Sequence, residues 1–137
     1  MEQVFQIPGK INVQWEPSVR SIVDTWTTYL VTLEQFKEAV LVQGVNYAKT
    51  RNVQAWIVDS SSATGSFSQE IQNFIGSDIF PTFAKIGVKY FITITSKSAI
   101  TKMTIAQYTS SLGPSGINLI EATSASEAVE WLKKNTK

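Results

Sequence analysis

Short strand-like segments alternate with helix-like segments along most of this 137-residue chain. Residues 53–58 (VQAWIV), 88–95 (VKYFITIT) and 117–122 (INLIEA) predict three strands, and the first, which is mostly apolar and bounded by polar residues, suits a buried, parallel strand. A segment whose apolar residues have helical spacing follows each strand. Strands that alternate with helices form right-handed crossovers, so the pattern predicts a largely parallel sheet.

Capping residues mark the starts of the predicted helices. In a capping box, a serine or threonine side chain binds a backbone N–H three residues later, where Glu or Gln stands. Three such pairs occur here: Thr32 with Gln35, Ser66 with Gln69, and Ser124 with Glu127. They predict helices that begin after residues 32, 66 and 124, and a further helix is predicted over residues 98–112. Pro81 is expected to kink or restart the second helix, and Gly87 is expected to end it.

The N-terminal third of the chain predicts an antiparallel hairpin. Residues 11–15 (INVQW) alternate apolar and polar side chains, as a half-buried strand does. Turn residues 16–18 (EPS) lead to a second strand over residues 22–30 (IVDTWTTYL), and Trp15 and Trp26 are expected on neighbouring positions. The predicted fold is therefore α/β with the order ββαβαβαβα. Its mixed, mostly parallel sheet begins with the hairpin, and the helices pack on it.

The composition and charge of the chain limit which domain organisation and which classes of binding partner we expect. The sequence has no internal repeat and no linker, which predicts a single domain over residues 1–137. Its formal charge is +1, so we expect no binding to nucleic acid or to an anionic membrane. The start (MEQVFQIPGK) lacks the features of a secretory signal, and no apolar run approaches the ~20 residues that span a bilayer. We therefore expect a cytoplasmic protein.

The absence of both His and Cys excludes most catalytic chemistry. Without them the chain has no catalytic triad of the Ser-His-Asp or Cys-His type, no thiolate nucleophile and no zinc–sulfur or iron–sulfur site. We expect no catalytic, cofactor-binding or metal-binding residues, and hence no enzyme. The remaining catalytic alternative is an enzyme that uses carboxylates or lysine alone, with Asp59, Glu70 and Asp78 as candidates.

Several segments carry a resemblance to a known family. They are the hairpin with its Trp-bearing second strand and residues 31–40 (VTLEQFKEAV), 55–61 (AWIVDSS), 79–95 (IFPTFAKIGVKYFITIT) and 124–134 (SASEAVEWLKK). Together they resemble the SpoIIAA-like, STAS-type family of bacterial domains over nearly the whole chain. The best-known branch of that family comprises anti-sigma-factor antagonists, which bind a partner kinase and are switched by serine phosphorylation. This chain is more similar to a broader branch that has the fold without an assigned role.

The loop after the predicted central strand is the predicted interaction and phosphorylation site. Its candidate residues are Asp59, Ser60, Ser61, Ser66 and Ser68. Ligands and partners meet open α/β sheets at the carboxyl ends of parallel strands, and a helix N-terminus favours a phosphate. In the antagonists, an Asp-Ser-Ser-Gly-type motif places the phosphoserine at the start of a helix. In this chain, Ser66 and Ser68 are nearer to the predicted helix start than Ser60 is. The alternative is that these serines only form turns and caps.

A neighbouring rim is expected where the next strand ends. Ser96, Lys97 and Ser98 follow residues 88–95, and the carboxyl ends of parallel strands meet at one edge of a sheet. Lys97 would supply a positive charge to an anionic ligand at this edge, or remain solvated.

The sequence leaves two functions open. The first is a non-enzymatic regulatory or protein-interaction module without a cofactor, which docks or is phospho-switched through this loop; its partner would be a kinase, another regulator or a second copy of the chain. The second is a binding or carrier protein for a small apolar ligand, because 15 aromatic residues could line a pocket between the sheet and the helices. Such a pocket needs a volume of several hundred Å³.

Overall fold

Three N-terminal strands form the antiparallel part of the sheet in the computed structural model, which describes residues 1–136. They are β1 (Glu2–Ile7), β2 (Ile11–Glu16) and β3 (Ser21–Trp26). Strands β2 and β3 form the predicted hairpin, with a short 3₁₀ turn at Pro17–Val19. Strand β1 was not predicted. It is an edge strand in which no residue is fully buried, and its adjacent apolar residues Val4 and Phe5 break the alternation that marks a half-buried strand.

The register of the hairpin differs from the expectation for its two tryptophans. Trp15 pairs with Ile22, and Trp26 pairs with Ile11 at the other end of the two strands. The prediction that Trp15 and Trp26 are neighbours is therefore wrong, because the tight turn fixes a register that places them on the same face but four positions apart along β3.

Three parallel strands complete the sheet: β4 (Ala55–Asp59), β5 (Tyr90–Ile94) and β6 (Asn118–Ala122). The sheet has the strand order β1-β2-β3-β4-β5-β6, and β3 pairs in parallel with β4. The mixed α/β sheet is thus confirmed, with the element order βββαβαβαβα instead of ββαβαβαβα. Almost every residue of β3 and β4 is buried, because helices cover both faces of the central sheet.

The first two helices each contain a segment of wide π-turns. Helix α1 (residues 33–48) begins as an α-helix, forms π-turns over Lys37–Val45 and returns to α-helix at Asn46–Ala48. Helix α2 (residues 69–86) contains π-turns over Ile75–Ile79, directly before its Pro81-containing segment. The sequence predicted the change next to Pro81, but it did not predict π-turns in either helix.

The start of α2 corrects one predicted cap. Ser68 caps this helix, and its hydroxyl oxygen accepts from the Ile71 N–H at 3.2 Å; the expectation that Ser66 pairs with Gln69 in a capping box is wrong. Phe67 lies between the two serines and is buried. The chain has to remain extended past Ser66 to place this ring in the core, so the helix begins two residues later than predicted.

Most of the other predicted helix ends are confirmed. Thr32 and Gln35 form a capping box at α1, and Gly87 ends α2 with a φ of 107°. Helix α3 (Ala99–Thr109) begins after Ser98 but ends three residues before the predicted end at residue 112. Helix α4 (Ala125–Asn135) begins after Ser124, whose capping box forms only in part, because the Glu127 carboxylate accepts from the Thr123 N–H and not from the Ser124 N–H. None of the helices in residues 1–136 has the length and the apolar character that a membrane crossing requires.

The core is divided by the sheet into two layers. Helices α1, α2 and α3 pack on one face, where the larger and more aromatic cluster includes Trp26, Trp56, Phe83 and Phe91. Helix α4 packs on the other face against a smaller aliphatic cluster around Ile57 and Ile92. The carboxyl ends of β4 and β5 therefore open onto an edge formed by the loops that lead into α2 and α3.

Candidate functional site

The predicted interaction loop, residues 59–68, follows β4 at the carboxyl end of the parallel strands. Asp59 is the last residue of β4, and its Oδ1 accepts hydrogen bonds from the N–H of Ser61 at 3.0 Å and from its hydroxyl at 2.7 Å. This local turn leaves the Ser61 side chain on the surface. Asp59 and Ser61 therefore shape the outer part of the loop.

Ser60 occupies a different environment from its neighbours. Its side chain is buried, and its Oγ lies 2.5 Å from the hydroxyl oxygen of Tyr29. The backbone N–H of Ser60 also donates to the carbonyl oxygen of Ile94 in β5. Ser60 therefore belongs to the interior of the fold and does not reach the surface at which a partner would bind.

Ser66 and Ser68 also differ in exposure. The hydroxyl of Thr104, in α3, donates to Ser66 Oγ at 2.8 Å, and Ser66 is only partly exposed. The hydroxyl of Thr101 donates to the Gly65 carbonyl oxygen at 2.7 Å and holds the same stretch of the loop. Ser68 is exposed at the N-terminus of α2. Among the four loop serines predicted as sites, Ser61 and Ser68 are thus the accessible ones.

The predicted neighbouring rim, Ser96, Lys97 and Ser98, lies beside this loop. Ser96 is buried and donates a hydrogen bond to the Ala63 carbonyl oxygen at 2.6 Å, while its Oγ accepts from the N–H of Ser98. Ser98 caps α3, and Lys97 between them is exposed. Ser96 therefore joins the two loops, and Lys97 supplies a positive charge to their shared edge.

Exposed apolar side chains occur on two segments that contact the loop. Leu30, Ile100 and Met103 are 65%, 63% and 62% exposed. Leu30 packs against Gly65, where an added Cβ would lie 2.8 Å from the Leu30 Cγ, and Gly65 has a φ of 79°. Ile100 and Met103 are on α3, the helix whose Thr101 binds the Gly65 carbonyl oxygen. We define the loop edge as the surface formed by Leu30, Ser61, Ser68, Lys97, Ile100 and Met103.

A second polar cluster, which the sequence did not predict, lies inside the fold around Asp24. This residue is in the middle of β3 and is 1% exposed. Its Oδ2 accepts a hydrogen bond from Trp56 Nε1 at 2.8 Å, whereas no donor among residues 1–136 reaches its Oδ1. Burial raises the pKa of Asp24 to about 7, and the hydrogen bond from Trp56 partly offsets this rise.

Asp24 faces an internal cavity of about 30 Å³ between the sheet and the helices. A cavity of this size holds one or two water molecules, far less than the several hundred Å³ that a pocket for a drug-sized apolar ligand occupies. The wall is largely aromatic and includes Trp26, Trp56, Phe67, Phe80, Phe91 and Tyr108. The π-turn segments of α1 and α2 contribute Val40, Ile75 and Ile79 to the same wall.

Two buried tyrosines connect this cavity to the loop. The hydroxyl oxygen of Tyr108, which lines the cavity, lies 3.3 Å from that of Tyr29, which in turn contacts Ser60. Burial raises the pKa of Tyr29 to about 12 and that of Tyr108 well above its usual value. Both phenols therefore stay protonated at neutral pH and can donate along the chain of hydroxyls.

The position of Asp24 in the sequence contains a signal that could have identified it. Asp24 lies two residues from both Ile22 and Trp26, so strand alternation places all three side chains on the same, buried face. A single carboxylate between two inward-facing apolar residues is unusual, because burial of a charge is costly. By contrast, Glu70 and Asp78, the carboxylates of the enzyme alternative, are exposed on α2. Within the described residues, no group of three or more acidic side chains converges into a metal site.

Comparison with known proteins gives no further assignment. No family model, no curated protein and no solved structure matches this chain. The resemblance to SpoIIAA-like domains therefore rests on the order and pattern of the sequence segments that carry it.

Proposed function

We propose that this chain is a non-enzymatic regulatory module of the SpoIIAA-like, STAS type that docks a protein partner through its loop edge. One observation carries the proposal: exposed Leu30 packs on Gly65 of a loop that also presents two accessible serines, and the helix bound to the same loop exposes Ile100 and Met103. Single exposed apolar residues are normal on a protein surface, but several of them on segments that contact one loop favour an interaction site.

The chemistry of the loop edge suits a reversible protein contact. Apolar side chains at the centre of an interface are desolvated on binding, and a polar rim around them provides hydrogen bonds and steering. Here Ser61, Ser68 and Lys97 are the exposed polar residues of the loop edge. A partner with a complementary apolar patch and an acidic group opposite Lys97 fits this surface.

Ser68 is the proposed switch within the loop edge. It is exposed and caps α2, so a phosphate on its side chain would lie against the unpaired N–H groups of the first helical turn. Lys10 lines the same surface groove as Ser68 and Leu30, which adds a positive charge nearby. Phosphorylation would introduce about −1.5 to −2 charges beside the apolar docking residues and would alter partner binding. The proposed regulator is accordingly a kinase.

The test uses capture of binding partners from the natural host with the wild-type chain and with two pairs of variants. We expect the double variant Ile100→Ser, Met103→Ser to lose the specific partner. Val42→Ser, which changes an exposed apolar residue on α1, serves as its matched control and should retain the partner. If the double variant captures the same proteins as the wild type, docking through the loop edge is wrong.

The second pair of variants tests whether Ser68 acts as the switch within the loop edge. We expect Ser68→Asp to change partner affinity at least tenfold, because it places a charge at the helix cap beside Leu30. Ser61→Asp adds the same charge elsewhere in the loop and should change affinity much less. Equal effects of the two substitutions would show that Ser68 has no special role.

A further inference from the structure

The carboxylate of Asp24 has no counter-charge in the lining of its cavity. None of the described side chains that line this cavity is a lysine or an arginine, and the only other titratable group in the lining is Tyr108. One carboxylate oxygen binds Trp56 Nε1, and the other is buried without a donor among residues 1–136. An unpaired oxygen of a buried carboxylate is strongly unfavourable, so the site is complementary to a hydrogen-bond donor that enters the cavity.

The residues that line the cavity indicate the chemical class of the donor that it binds. Aromatic rings carry a negative electrostatic potential on their faces and attract cations, most strongly when these are removed from water. The cavity combines a carboxylate with two indole rings, Trp26 and Trp56, and with the rings of several phenylalanines. A positively charged donor therefore gains both from the carboxylate and from the rings, whereas a neutral donor gains mainly from the hydrogen bond.

The volume and the covering helices indicate the size of the occupant. A space of about 30 Å³ accommodates one or two non-hydrogen atoms. Two of the three helices that cover the cavity carry π-turns where Val40, Ile75 and Ile79 line it, and π-turns inside helices frequently mark functional sites. A methylammonium ion fits the present volume, and longer alkyl chains require displacement of this part of the wall.

We propose that the cavity around Asp24 is a binding site for a small primary ammonium compound, whose NH₃⁺ group donates to Asp24 Oδ1 while its short alkyl group contacts the aromatic wall. This site is separate from the loop edge and goes beyond the docking function, so either proposal stands if the other fails.

The indole N–H of Trp56 is a direct reporter of binding, because it donates to the other oxygen of the same carboxylate. Its resonance in a ¹H–¹⁵N spectrum is the one that is missing from the spectrum of Trp56→Phe. We would titrate methylammonium chloride into the protein at pH 8, where Asp24 is ionised, and hold the ionic strength constant with sodium chloride. Methanol, a neutral donor of the same size, and tetramethylammonium, a cation without N–H groups, are the matched probes.

We expect methylammonium to shift the Trp56 resonance saturably, with at least tenfold weaker binding to Asp24→Asn and no saturable shift from methanol or tetramethylammonium. If Asp24→Asn does not fold, Val40→Leu tests the same site, since the added methylene fills the cavity and leaves the carboxylate in place. Binding should then be lost, while Val42→Leu on the exposed side of α1 retains it.

Three results would overturn the proposal. The first is the absence of any saturable shift with methylammonium or its ethyl and propyl homologues, in which case water alone fills the cavity. The second is an equal response of the wild type and both cavity variants. The third is an equal response to methanol, which would show that the charge of the ligand is irrelevant.

Discussion

At the scale of single residues, Asp24 makes stability depend on pH. Its pKa rises from 3.8 to about 7 on folding because the carboxylate is buried. The folded state therefore binds the proton more tightly than the unfolded state does, and stability is greatest when the carboxyl group is protonated. Tyr108, the other titratable side chain in the cavity lining, has a raised pKa and does not titrate between pH 4 and 8.

We expect the wild-type protein to lose stability relative to Asp24→Asn as the pH rises from 4 to 8. The contribution of Asp24 is fully present below pH 3.8, declines as the pH rises to about 7, and then levels off. The loss is on the order of 4 kcal/mol. Urea denaturation of both proteins at several pH values measures it, because the surface groups are common to the two chains. A constant difference between their unfolding free energies would contradict this account.

The cap of α2 gives a second prediction for a single residue. Ser68→Ala removes the hydroxyl oxygen that accepts from the Ile71 N–H, so we expect a loss of about 1 kcal/mol of unfolding free energy. Ser61→Ala is the control, since its exposed side chain bonds only within its own turn, and it should change stability by less than about 0.5 kcal/mol. Indistinguishable denaturation curves for the two variants would show that Ser68 does not cap the helix.

At the scale of secondary-structure elements, Phe67 anchors the loop to the core. Its ring stacks on Tyr29 with a centroid distance of 3.9 Å and packs edge-on against Trp26 and Phe36. These three partners come from β3, the segment that follows it, and α1. One ring thus fixes the position of the loop relative to two elements of the fold.

We expect Phe67→Ala to lower the unfolding free energy by about 3–5 kcal/mol, because it removes a buried ring and leaves a cavity. Phe74→Ala removes the same number of atoms from a partly exposed site on α2 and should cost less than half as much. Thermal or urea unfolding of the two variants provides the comparison. Equal losses would mean that the ring of Phe67 is not anchored as described.

The sequence predicted most elements, but it did not predict what depends on tertiary packing. Strands β2 to β6 and the caps at Thr32, Ser98 and Ser124 follow from local patterns of apolar and capping residues. Strand β1 escaped prediction because its apolar residues are only partly buried and a register shift between Gln3 and Phe5 breaks their alternation with polar residues. The π-turns form i→i+5 bonds within otherwise α-helical segments, and nothing in the local spacing of apolar residues predicted where they occur.

The candidate site was predicted only in part, because some of its contacts also depend on tertiary packing. Strand ends and helix caps locate the loop edge, and the spacing of Ser96 after β5 placed the neighbouring rim. The burial of Ser60 depends on Tyr29, which is 31 residues away in the chain. Asp24 was missed because its neighbours were interpreted as an ordinary strand pattern, and the cavity it faces forms only when three helices pack on the sheet.

At the scale of the whole molecule, the edge strand bears on self-association. Strand β1 is the outer strand of the hairpin, and pairing of two copies through it would extend the sheet. Its pairing with β2 is irregular between Gln3 and Phe5, where the register shifts. Bulges of this kind twist an edge strand and disfavour the addition of another strand.

The strand order of the sheet has a consequence for how the chain acquires its structure. Each strand pairs with the strand that precedes it in the sequence, so no strand has to be inserted between two others that have already paired. The antiparallel hairpin needs only a short turn, and each later strand can add to an existing edge as soon as its connecting helix has been synthesised. A growing polypeptide with this topology can extend its sheet in the order in which it leaves the ribosome.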